Sequence, residues 1–145
     1  MMTIGIDPGK RGAIGYLFDD GRASVVDMPE NPADLADELR QWILPMHAYV
    51  EQAQAMPRQG VSSTFQTGYG YGTIIGTLAA LSIPYTTVTP AVWKRTLGLT
   101  GQDKEASRAL ARRQWPTAPL SLKKHEGRAE ALLIAHYGRG KDGVR

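Results

Sequence analysis

The sequence has 145 residues, 42% of them hydrophobic, a formal net charge of +3 and no cysteine. That length suits one packed core, the lack of thiols excludes disulfides and cysteine-based zinc sites, and no apolar run approaches the roughly 18 residues of a membrane span. The charge is unevenly divided: residues 1–84 hold five Lys/Arg against nine Asp/Glu and residues 85–145 hold twelve against five, so the halves carry −4 and +7. The basic half is a candidate polyanion surface, although a solvated helix face would show the same bias. The N-terminal stretch MMTIGIDPGK has no basic segment leading into a long apolar one, so a soluble protein of the cytoplasm is expected.

In chain order, Thr3–Asp7 (TIGID) reads as a short apolar strand ending in an acid, PGKRG as a turn, and Ala13–Phe18 as a second strand. Asp19-Asp20-Gly21 is a hairpin signal and Ala23–Met28 a third strand. Asn31-Pro32 opens an amphipathic helix, with Asn as cap, Pro at the first helical position, and Leu35, Leu39, Trp42 and Ile43 at helical spacing. A fourth strand follows Pro45 at about Ala48–Ala53, then a loop at Met56–Val61. Ser62-Ser63 can cap a helix to about Ser82, whose Gly68, Gly70, Gly72 and Gly76 lower its propensity and suit close packing against another backbone. Pro84–Thr89 reads as a fifth strand, Pro90–Arg95 as a short helix and Leu99–Gln102 as a loop. Asp103 caps a helix to about Trp115, Pro116–Leu122 connects, and Lys123 to about Gly138 is the last helix. Residues 1–140 are expected to form a single domain and residues 141–145 a flexible tail. Three antiparallel strands continued by crossover helices predict an α/β fold: a five-stranded mixed sheet flanked by helices.

Glu51, in VEQAQA, is a carboxylate where an alternating strand should be most buried. If the first and fourth strands are parallel neighbours, Asp7 and Glu51 meet at one edge of the sheet. On the last helix Glu126 and Glu130 are four apart and share a face, a mildly repulsive spacing unless a cation lies between them. The helix dipole alone accounts for an acid at Glu126, but Glu130 lies past the first turn. Four such carboxylates make a hard oxygen site suited to Mg²⁺ or Mn²⁺, and a pair of metals about 4 Å apart can hydrolyse a phosphodiester.

IGIDPGKRGAIGYL, VEQAQA, GYGYGTIIGTL, PAVWKRTLGL and GRAEALLIA, in that order from Ile4 to Tyr137, resemble RuvC-type Holliday junction resolvases, closest to the plant chloroplast resolvase and phage members. The resemblance implies a ribonuclease-H-like fold and a Mg²⁺-dependent endodeoxyribonuclease, with two ions per active site and Mn²⁺ able to substitute. It implies a homodimer that cuts four-way DNA junctions symmetrically, without membrane or small-molecule cofactor, in a bacterial or phage-infected cell or in an organelle after loss of a transit peptide. Alternatives on the same fold are a broader branched-DNA or RNA–DNA hybrid nuclease and a catalytically silent DNA-structure-binding module.

Carried over by position, Asp7, Glu51 and Glu130 correspond to metal-binding acids of the family. Bacterial members place an Asp or His three residues before the last acid. Here that position is Gly127, so either Glu126, on the face of Glu130, or His125, as ligand or general base, completes the set. Lys94 and Lys104 correspond to lysines beside the scissile phosphate. The loop after Glu51 offers Gln54, Met56, Arg58 and Gln59 to the junction, with Met56 or Phe65 able to wedge between bases. Arg108, Arg112, Arg113, Lys123, Lys124 and Arg128 would bind phosphates without reading sequence.

Overall fold

The computed structural model describes residues 1–142. Strands β1 (Met2–Asp7), β2 (Ala13–Leu17) and β3 (Ala23–Asp27) form an antiparallel meander, followed by α1 (Pro32–Arg40) and β4 (Met46–Glu51). The chain continues through α2 (Val61–Ala80), β5 (Tyr85–Val88), α3 (Pro90–Thr96) and α4 (Lys104–Gln114). A 3₁₀ turn (Lys123–His125) then leads into α5 (Glu126–Lys141). The sheet runs β3-β2-β1-β4-β5, with β1 parallel to β4 and β4 parallel to β5. This is the mixed five-stranded α/β architecture expected from the element order.

The period of two along a strand sorts its residues between two apolar layers. Met2, Ile4 and Ile6 of β1, with Ala48 and Val50 of β4, face the core shared with α1 and α2. The intervening residues face α5: a Cβ at Gly5 would lie 2.0 Å from the Ala131 carbonyl oxygen and 2.4 Å from the Ala135 nitrogen. Only glycine permits that approach. Tyr49 of β4 packs in the same layer, with Leu132, Leu133 and Tyr137 of α5 and Trp93 of α3. Asp7 and Glu51 continue the parity of Gly5 and Tyr49, so both project toward α5.

Several boundaries differ from those read in the sequence. β4 begins at Met46 because pairing with β1 starts there, where Met2 N–H donates to the Pro45 carbonyl. It stops at Glu51, after which Gln52 N–H donates to the Val88 carbonyl. α1 ends at Arg40, so Trp42 and Ile43 are not on it. Trp42 stacks near Tyr16 and Phe18, with centroids at 5.0 and 5.4 Å, and Ile43 is 97% exposed. α2 is capped by Gly60 and no side chain caps it. Of the expected tail, Lys141 closes α5 and Asp142 accepts a hydrogen bond from the Tyr49 hydroxyl; residues 143–145 lie outside the described residues. Among the described residues no helix is long and apolar enough to cross a membrane.

Candidate functional site

The register places Ile6 beside Val50, so the next residues, Asp7 and Glu51, terminate adjacent parallel strands at the same edge. α5 crosses over them and brings Glu130, which is 5% exposed. One carboxylate oxygen from each of Asp7, Glu51 and Glu130 lies within 4.8 Å of the others. Burial, then the charge of Glu130 and that of Glu51, pushes Asp7 well above the usual carboxylate range, against the opposing pull of Lys104 and Lys94. Glu51 is raised as well, first by burial, while a hydrogen bond from Trp93 Nε1 at 2.7 Å holds one of its oxygens and works in the other direction. Glu130 Oε1 is buried without a hydrogen-bond partner.

Three crowded carboxylates with an orphaned buried oxygen are electrostatically incomplete. The donor set is all oxygen, and a hard divalent cation fits it: such an ion would be held by Asp7, Glu51 and Glu130. Lys94 lies with its Nζ 5.5 Å from the Trp93 ring, and with Lys104 it supplies the positive charge felt at Asp7 and Glu51.

Glu126 and His125 are not brought into this group. Helical spacing does set Glu126 a turn from Glu130, but it is the first residue of α5, partly exposed. His125 is buried in the preceding 3₁₀ turn, where Nδ1 accepts from Leu122 N–H at 3.1 Å. Burial, then Arg128 and Lys124, lowers its pKa, so the ring favours the neutral form. Gly127 has no room for a side chain: a Cβ there would lie 2.2 Å from the Arg11 carbonyl oxygen.

The residues expected to meet DNA divide into free and engaged. Gln54, Met56, Arg58 and Phe65 are exposed around the loop and the start of α2, and Arg58 adopts φ 67°. Gln59 instead staples that loop to α2, accepting from Met56 N–H at 3.0 Å and donating to Ser63 Oγ and Thr67 Oγ1. Arg108 donates to the carbonyls of Leu120 and Ser121 and pairs with Glu105, so it braces the connector before α5. Arg128 is likewise engaged, with Asp27 and the Pro119 carbonyl. Lys104, Arg112, Arg113, Lys123 and Lys124 are exposed. Sequence reasoning missed Trp93, although a buried indole in a short helix beginning beside the sheet edge must place its N–H somewhere.

The strand order, the parallel pairing that sets two acids at one edge and the helix that brings the third define a ribonuclease-H-like fold of the RuvC type. The structure of Thermus thermophilus RuvC superposes with a TM-score of 0.68 at 17% identity, covering 99% of this chain and 98% of that one. T. thermophilus RuvC in complex with Holliday junction substrate gives 0.67 at 18% identity, covering 100% and 98%. In sequence, the chain is 35% identical over 98 residues to the Holliday junction resolvase MOC1, chloroplastic, of Chlamydomonas reinhardtii. That match covers 66% of this chain and 11% of the relative, so the chain spans about a tenth of that protein's length. No protein-family model matches the chain.

Proposed function

We propose that the chain is a divalent-metal-dependent endonuclease that cuts four-way DNA junctions. The observation that carries this reading is the convergence of Asp7, Glu51 and Glu130, with the unpartnered Glu130 oxygen, at one edge of a RuvC-type sheet. A relative named as a Holliday junction resolvase and a neighbour described in complex with Holliday junction substrate supply the substrate class. The cofactor in this reading is Mg²⁺, two per site, with Mn²⁺ able to substitute.

Bound divalent cations supply an acidified water and neutralise charge on the phosphate. The remaining work falls to the chain. Trp93 fixes one oxygen of Glu51 and leaves the other free. Asp7 and Glu130, on a strand and a helix locked together at Gly5, hold their oxygens at fixed separation. Lys94 and Lys104, whose charge acts on Asp7 and Glu51, are in this reading the cations that offset the negative charge that grows during attack. Met56, 64% exposed on the rim of the cleft beside Glu51, is an apolar group free to press against unstacked bases.

A junction presents two strands to be cut, which calls for two copies of the site. The outer face of α2 suits pairing with a second copy of this chain. Val61, Phe65 and Tyr69 are 89%, 68% and 56% exposed, and a Cβ at Gly68, Gly72 or Gly76 would meet nothing within 4 Å.

The deciding experiment is cleavage of labelled four-way junctions, flaps, forks, linear duplex and RNA–DNA hybrid with Mg²⁺. Paired symmetric nicks confined to the four-way junction support the proposal. Equal cutting of flaps and forks replaces it with a broader branched-DNA nuclease, and preferential cutting of hybrid with a hybrid-specific one. Binding without cutting of any substrate leaves a silent structure-binding module.

A further inference from the structure

The turn between β1 and β2 carries two cations that the chemistry above does not use. Lys10 and Arg11 are exposed, and neither enters an ion pair among the described residues.

The backbone beneath them is held on every side. Gly9 takes φ 111°, Gly12 N–H donates to the Gly9 carbonyl at 3.1 Å, and the Gly12 carbonyl accepts from Met28 N–H at 3.0 Å. A Cβ at Gly12 would lie 1.8 Å from the Asp7 carbonyl oxygen, and one at Gly127 2.2 Å from that of Arg11. The turn is therefore wedged between the end of β1 and the first turn of α5, the two elements that carry Asp7 and Glu130. Pro8 and Gly9 form one wall of an open cleft of about 510 Å³ that also reaches Glu51 and Gln54.

Resting on the nuclease reading of the carboxylate site, we propose that Lys10 and Arg11 form a phosphate clamp. They bind the sugar–phosphate backbone of the strand entering that cleft and add to its affinity for the protein. Two long cationic side chains on an immobile turn can follow a phosphate while their anchoring points stay fixed to the reacting edge. They are binding residues: the effect belongs in affinity and its salt dependence, and the rate of the bound complex is left unchanged.

The test compares the parental protein with a Lys10→Gln/Arg11→Gln variant, by anisotropy of a labelled four-way junction over a salt series and by single-turnover cleavage at saturating protein. The clamp predicts that the slope of log affinity against log salt falls by about 1 to 2, at roughly 0.9 for each phosphate no longer neutralised. The saturated cleavage rate stays at the parental value. Arg11→Lys keeps the charge and retains most of the slope. Arg40→Gln, at the far end of the sheet beside Met1 and Pro45, changes neither quantity. Unchanged affinity and slope in the double variant, with the parental protein binding normally, overturn the clamp and leave the nuclease reading standing. Failure of the parental protein to bind or cut any branched DNA overturns the reading on which the clamp rests.

Discussion

Asp7 and Glu51 are held in a state that costs folding stability at neutral pH. Their ordinary values of 3.8 and 4.5 are both raised in the folded chain, first by burial. From those ordinary values up to the raised ones, the folded protein binds more protons than the unfolded chain, so stability falls as pH rises through that window. We therefore expect metal-free Asp7→Asn to melt above the parental protein at neutral pH, by about 2–4 °C per kcal/mol relieved at this chain length. The gap should close toward acid pH, and the variant should lose both cleavage and stabilisation by Mg²⁺. Equal melting temperatures at both ends of the range would contradict the crowding of the three acids. Trp93→Phe keeps the buried ring and deletes the hydrogen bond to Glu51. Metal affinity, read by calorimetry, should fall about 10–100-fold, because an outer partner that orients a ligand is worth that much.

Among the elements, α5 decides the geometry, packing across β1, β2, β3, β4, α3 and α4. Its seat on β1 depends on Gly5, where an added methyl would meet backbone on the helix. Gly5→Ala should cost at least about 3 kcal/mol, measured by denaturant unfolding, at the upper end of overpacking effects because neither backbone can yield. The strands and helices were legible in the sequence because their periodicities are strong and their caps, Asn31 and Asp103, are ordinary ones. The ends of α1 and β4 were not. Periodicity alone cannot show that Trp42 leaves the helix to stack on Tyr16, and strand limits depend on a neighbour's length. Among the site acids, strand position anticipates the meeting of Asp7 and Glu51, whereas Glu130 was singled out by the family resemblance and not by its place on the helix alone. Glu126, first residue of α5, is not among the clustered acids, and its spacing from Glu130 carried no sign of that. Arg108 looked like a free cation because its partners, the carbonyls of Leu120 and Ser121, carry no side-chain signature.

For the whole molecule, the exposed face of α2 predicts assembly. Gly72→Glu should leave the circular dichroism spectrum unchanged, since open space surrounds that position in the single chain. Light scattering should find the parental protein a dimer and the variant a monomer, and the variant should lose paired nicking of a junction. A parental monomer at working concentration would rule out this face as the pairing surface.

Glu130 sits on α5, and that helix closes the core over the sheet. On the ribosome, β1 and β4 emerge with Asp7 and Glu51 long before Glu130 is available. A chain interrupted before α5 lacks both the third acid and the layer that orders the other two, so the carboxylate site comes into being only as the last helix closes the fold.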